Sequence, residues 1–302
     1  MPVDSAGHED ANATVPTGVG RTAVMVAAVR ASENQREDRL FTDPFAADFV
    51  EASGFGAFLR QSAENADPDD EMAQAGASFA GYAPIRTKFF DDYLRTATSE
   101  LRQVVIVAAG LDTRALRLEF GDEVSTYELD SAEVLDFKQR VLDKRGARSH
   151  GRRIPVPVDL REDWITPLTS AGFDPAEPTA WLIEGLIAYL TTEQNDALLA
   201  AVTSVSAPGS MLSLEYLNTD AVALMVRAVG GGSRTEMGQL WSGGGVADPS
   251  EVWLARHGWT SRAYDTYDRA QVYGRPLPPL TDTPIDRFSA AARNSLIIAR
   301  RD

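Results

Sequence analysis

The run Val104-Val105-Ile106-Val107-Ala108-Ala109-Gly110-Leu111-Asp112-Thr113-Arg114 sets the architecture of the chain. Val104 to Ala109 is continuously apolar and rich in β-branched residues, the pattern of a strand buried on both faces of a parallel sheet. Gly110 supplies a turn, and Ala115, Leu116 and Leu118 then mark a helix. Downstream the alternation repeats. Strand-like runs fall at 124–129, 154–158, 181–184, 211–216, 259–264 and 294–300. A helix carries Val134, Phe137, Val141 and Leu142, and Thr191 with Gln194 forms a capping box that opens another, reaching about Val205. Strand and helix in this order imply βαβ units and a doubly wound, mostly parallel sheet of seven strands. Ligands of such sheets sit beyond the carboxyl ends of the strands, at the switch in strand order.

Upstream of that run the period is helical. Val24, Ala27 and Ala28 recur on one face, Asp43-Pro44 opens a second short helix, and Ile85, Phe89, Phe90, Tyr93 and Leu94 line a longer one. These helices read as a cap over 19–100, before a core over 101–302. Residues 1–18 read as a mobile tail with neither the basic lead nor the apolar centre of a signal peptide. The glycine-rich stretch 228–246 reads as an insertion or lid.

Composition narrows the possible roles. No apolar run approaches the roughly 20 residues of a membrane span. Among 302 residues there is no cysteine, which excludes disulfides, thiolate catalysis and cysteine-bound zinc and fits a cytoplasmic setting. A net charge of −15 opposes nucleic acid as partner. His8, His150 and His257 form no metal-ligating spacing, so no metal is expected.

Four acids follow four successive strands: Asp112, Asp130, Asp159 and Glu184. Each has a structural reading. Asp130 with Glu133, and Asp159 with Glu162, fit helix capping, Asp112 can cap its own helix, and Glu184 can pair with an arginine. Four in succession along one rim point instead to a shared ligand. The first turn says which kind. A dinucleotide fold places G-x-G-x-x-G there so that bare backbone approaches a pyrophosphate. Here Ala108-Ala109-Gly110-Leu111-Asp112 offers one glycine and then an acid, which repels phosphate and attracts an ammonium or sulfonium. S-adenosylmethionine carries both cations and no phosphate. An acid after the second strand suits its ribose diol, since a carboxylate accepts two hydrogen bonds at once.

At these residues the chain resembles the bacterial, notably mycobacterial, S-adenosylmethionine-dependent methyltransferases related to leucine carboxyl methyltransferases. The resemblance spans about Arg21 to Arg301. It rests on Arg21-Thr22-Ala23, Arg30-Ala31 with Asp43-Pro44, Arg86-Thr87 with Phe89, and Gly110-Leu111-Asp112-Thr113-Arg114. Tyr127-Glu128-Leu129-Asp130, Val158-Asp159-Leu160, and Glu184-Gly185-Leu186 with Tyr189-Leu190 complete it. It implies a class I methyltransferase-like (Rossmann-like) fold with S-adenosylmethionine as cofactor and a small-molecule methyl acceptor. It places Asp130 on the ribose hydroxyls, Asp159 on the adenine amino group with the Leu160 backbone at the ring edge, Glu184 near the methionine amino group and Arg86 near its carboxylate. Gly110 and its neighbours would let the backbone pass close to the cofactor. Ala108 departs from the family, whose turn begins with Gly-x-Gly. Alanine fits there if its φ is negative, and a positive φ puts cofactor binding in doubt.

Methyl transfer needs alignment and exclusion of water more than strong acids or bases. With no well-placed histidine, a base must be a carboxylate or tyrosine, or the acceptor must already be nucleophilic, which favours O-methylation. Phe41, Phe45, Phe89, Phe90 and Tyr93 are read as core packing or as an acceptor pocket, and Trp241 as a residue that closes over the acceptor. Two other functions compete: a nicotinamide-dependent oxidoreductase, and a non-catalytic module that keeps the fold.

Overall fold

The computed structural model describes residues 19–56, 67, 70–228, 241 and 243–302. The 1–18 tail and most of the 228–246 stretch lie outside the described residues.

Seven strands form one sheet: β1 (Gln103–Val107), β2 (Ser125–Asp130), β3 (Arg152–Pro157), β4 (Thr179–Ile183), β5 (Met211–Glu215), β6 (Trp259–Tyr264) and β7 (Leu296–Arg301). Their order is β3-β2-β1-β4-β5-β7-β6. The first five are mutually parallel, and β7 runs antiparallel to both β5 and β6. Strand order reverses between β1 and β4, so the crevice expected of such a sheet opens where Ala108 and Glu184 leave it.

The alternation of β1 explains its double burial. Val105 and Val107 join Tyr127, Leu129, Trp181, Ile183, Leu212 and Leu214 in one core. Val104 and Ile106 face the other way and join Ala180, Leu182 and Leu296. Each face is covered by helix. The first packs Leu198, Leu199 and Val202 of the helix Thr192–Ser204, which starts at the Thr191 and Gln194 capping box. The second packs Phe89, Phe90, Tyr93, Leu94 and Ala97 of the helix Glu71–Thr98. Phe89, Phe90 and Tyr93 are therefore core residues, and the Tyr93 hydroxyl donates to the Trp181 carbonyl at 3.1 Å. Phe41 is also buried.

The helices Val19–Glu33 (α1) and Ala46–Ala52 (α2) precede Glu71–Thr98 (α3). A buried arginine ties them to the sheet. Arg30 Nε donates to Asp43 Oδ2 at 2.8 Å, and its Nη2 donates to the Leu111 carbonyl at 2.7 Å. The paired Arg30 and Asp43 of the sequence thus dock the first two helices on the turn after β1. Helices the sequence reading did not place are Ile165–Ser170, Thr219–Ala228, Thr266–Val272 and Pro284–Ala291. Among the described residues no helix is long and apolar enough to cross a membrane.

Candidate active site

The turn after β1 carries the strain that the sequence left open. Ala108 has φ of +54°, the one positive value outside glycine among the described residues, and Gly110 has +47°. Left-handed backbone costs an L-residue with a Cβ about 1–2 kcal/mol. The surroundings hold it there. Ala109 N–H donates to the Leu129 carbonyl at 2.9 Å, and Asp112 N–H donates to the Ala109 carbonyl at 2.8 Å. Gly110 N–H donates to Asp130 Oδ2 at 2.7 Å. Ala108 thus takes the positive φ that, read from the sequence, put cofactor binding in doubt, and these hydrogen bonds hold the turn in that conformation.

Asp130 does not cap the following helix. The cap position of Ala132–Lys144 belongs to Ser131. Asp130 Oδ1 accepts from the Ser131 N–H at 2.7 Å, while Oδ2 reaches the neighbouring turn. Burial raises its pKa above the ordinary value, against the pull of the two N–H donors.

Asp112, Glu184 and Arg86 meet in one buried network whose hub is Arg114. Arg114 Nη1 binds both Asp112 and Glu184, the latter at 2.7 Å, and its Nε binds Asp91 at 2.7 Å. Arg117 holds the other face of Asp91 at 2.5 Å. Arg86 Nε donates to Glu184 at 2.7 Å, and its Nη1 donates to Glu215 at 2.9 Å. Arg86 and Arg114 are 6% and 3% exposed, and Asp91 not at all. Burial resists ionisation of these acids, but the guanidinium groups outweigh it. Asp112 is held at about 2 by Arg114, Glu184 is lowered by Arg114 and Arg86, and Asp91 by Arg117 and Arg114. The network joins three guanidinium groups to four carboxylates, and the buried Lys138, which shares Glu128 with Arg153, adds its positive charge beside Asp112.

Asp159 and Leu160 stand apart. Asp159 forms a two-point ion pair with Arg161, its neighbour but one, at 2.6 Å, and also accepts the Arg161 N–H at 2.9 Å. Those bonds hold its pKa at about 2. Leu160 packs against the core of the first sheet face. No hydrogen bond or ion pair among the described residues joins either one to the Arg114 network.

Sequence reasoning named Arg114 only within a motif and missed Asp91, Glu215 and Tyr82. The signal for Glu215 was present: it is the acid that ends the fifth strand, as Glu184 follows the fourth. Trp241 stacks edge-on to Tyr189 at 5.9 Å, and the Tyr189 hydroxyl donates to Thr22 Oγ1 at 3.2 Å. A surface depression lined by Thr203, Arg256, His257 and Arg301 lies at the opposite, amino rim of the sheet, far from these groups. The described residues hold no cluster of His, Asp or Glu able to bind a metal.

Strand order, acid-lined carboxyl rim and glycine turn together define a class I methyltransferase-like fold. A sequence model described as "Leucine carboxyl methyltransferase" matches residues 23–203. The chain belongs to the leucine carboxyl methyltransferase family. A Parafrankia protein named "Putative S-adenosyl-L-methionine-dependent methyltransferase" is 39% identical, over 97% of this chain and 92% of that protein. A Frankia alni protein of the same designation is 44% identical, over 89% and 93%. Among solved structures, a DUF574 family protein from Streptomyces avermitilis aligns with TM-score 0.53 at 11% identity, covering 93% of this chain and 97% of that one. A Thermobifida fusca structure titled "putative methyltransferase" aligns with TM-score 0.54 at 16% identity, over 93% and 94%. At these identities the two structures speak for the fold alone.

Proposed function

We propose that the chain methylates an oxygen, carboxylate or hydroxyl, of a small-molecule acceptor. Its family makes it a methyltransferase that uses S-adenosyl-L-methionine; the acceptor class and the roles of single residues are our reading. That cofactor, when bound, supplies an electrophilic methyl group on a sulfonium.

The observation that carries the reading is that arginines hold the acids Asp112, Glu184 and Asp91 of this rim ionised, which leaves them to bind and not to take a proton. We assign Arg86 to the cofactor's carboxylate and Glu184 to its amino group. Asp130 is assigned to the ribose hydroxyls, and Asp159 with the Leu160 backbone to the adenine. Ala108, Gly110 and Asp112 shape the turn along which the ligand lies. Arg86 supports its assignment by having only Nε and Nη1 in hydrogen bonds among the described residues. For Asp159 the assignment requires that Arg161 share the carboxylate or release it. The helical cap over 19–100 on a core over 101–302, and a cytoplasmic setting, belong to the same proposal. The first is supported by the docking of Arg30 on Leu111, the second by the cysteine-free sequence.

O-methylation is supported by what these side chains do with protons. Asp112, Glu184 and Asp91 are held ionised by arginines and are poor proton acceptors near neutrality. Burial raises the Tyr82 and Tyr189 hydroxyls above their ordinary range. An acceptor that arrives already anionic needs no base. The test is methyl transfer to a panel of carboxylates, phenols and amines. We expect turnover on a carboxylate or phenol, with a carboxylate's kcat flat between about pH 6 and 9. Turnover confined to amine or carbon acceptors would sink the reading.

A further inference from the structure

We propose that Glu215 is a positioning residue for the aminocarboxyl end of the cofactor, acting through Arg86 and the backbone of Gly185. The inference rests on the cofactor assignment above and adds a residue that the four strand-end acids did not include. Glu215 ends β5, is 7% exposed, and accepts from three residues, two of them on α3 and the third in the turn after β4. Oε1 takes the Tyr82 hydroxyl at 2.6 Å and Arg86 Nη1 at 3.1 Å. Oε2 takes the same Nη1 at 2.9 Å and the Gly185 N–H at 3.0 Å.

Both targets adjoin the cofactor's methionine portion. Arg86 is a long side chain from α3 that would otherwise choose among rotamers, and Glu184 fixes only its Nε. Glu215 fixes Nη1 from the opposite side, so the guanidinium plane is set by two carboxylates. Gly185 has φ of +70° directly after Glu184, and its N–H bond to Glu215 holds the turn that aims the Glu184 side chain. One carboxylate therefore orients the cation meant for the cofactor's carboxylate and the anion meant for its ammonium. Tyr82, whose hydroxyl also lies 3.4 Å from Ser295 Oγ, anchors Glu215 in turn. Preorganisation of this kind strengthens binding because little side-chain freedom is left to lose.

The test separates the two ends of the ligand. S-adenosylhomocysteine has the aminocarboxyl group; 5′-methylthioadenosine keeps the nucleoside and sulfur without it. Affinities are measured by calorimetry for the wild type, Glu215→Gln and Tyr82→Phe, with thermal melting as a folding check. We expect Glu215→Gln to weaken S-adenosylhomocysteine at least tenfold and to leave 5′-methylthioadenosine within about twofold, and Tyr82→Phe to act in the same direction by less. Equal losses for both ligands mean a merely structural role and overturn the inference, as does no loss for either. If Glu215→Gln fails to fold, Tyr82→Phe decides by the same comparison. A wild type that binds neither nucleoside overturns the cofactor assignment itself, which a selective failure of Glu215 does not.

Discussion

Gly110 and Asp130, twenty residues apart at the ends of adjacent strands, share one hydrogen bond, 2.7 Å from N–H to Oδ2. It turns the carboxylate of β2 toward the turn of β1 and away from the helix that follows it. Asp130→Ala should therefore weaken S-adenosylhomocysteine by roughly 10–100-fold, the worth of a hydrogen bond to a charged group. The fold should survive, because Ser131 keeps the cap position, with Tm lowered by the Gly110 and Ser131 N–H groups that lose their acceptor. Calorimetry together with a thermal melt checks both. Unfolding with unchanged affinity in the folded fraction would reassign Asp130 to the turn alone.

The same carboxyl predicts a pH dependence. Its folded pKa is raised above 3.8 by burial, so just above 3.8 the folded state holds a proton that the unfolded chain has released. Across that interval the free protein loses stability as pH rises. Ribose hydroxyls donate to the ionised form, so S-adenosylhomocysteine should bind more tightly as pH rises through the same interval, releasing a proton. Calorimetry in two buffers of different ionisation enthalpy measures that release. Asp130→Ala should abolish it.

Ala108→Gly should stabilise the protein. Relief of the left-handed strain gains about 1–2 kcal/mol, and the extra freedom of glycine in the unfolded chain returns about 0.4–1. The net of about 1 kcal/mol raises Tm by roughly 2 °C in a chain of this size. Ala108→Val should do the reverse, since a β-branched residue tolerates positive φ poorly. Differential scanning calorimetry of the three proteins decides it, and a lower Tm for the glycine variant contradicts the assigned strain.

Arg114→Ala should be among the most damaging single changes. It leaves Asp91, Asp112 and Glu184 short of a buried partner, a loss of about 3–5 kcal/mol. Arg287→Ala removes a pair with Asp282 whose side chains are 59% and 85% exposed, and should change stability by about 0–1 kcal/mol. Urea denaturation of both variants measures the contrast. Equal effects would show that the Arg114 network contributes no more than a surface pair.

The sheet was legible in the sequence because strand periodicity is local. All seven strands fall where apolar runs predict them, with ends displaced by two residues or fewer. The capping box at Thr191 and Gln194 is likewise a short-range signal. The helix Thr219–Ala228 escaped notice beside a glycine-rich stretch. Pro284–Ala291 escaped although Thr283, capping Asp286, announces it. The site was half legible. Strand-end acids can be read from position along the chain, but their partners cannot: Arg86 meets Glu184 and Glu215 across 98 and 129 residues. Such pairings are decided by the packing of α3 on the sheet, which no local pattern encodes. Asp159 shows the converse. Its strand-end position is real, and a neighbouring arginine has taken the carboxylate.

Helix α1 crosses so close to the glycine turn that a methyl group built on Gly110 would stand 3.5 Å from Ala23 Cβ. That is ordinary van der Waals contact, so α1 leaves room for a methyl group at 110, and it is the φ of +47° that calls for glycine there. A helix remote in sequence from every strand-end acid thus rests directly on the turn they surround.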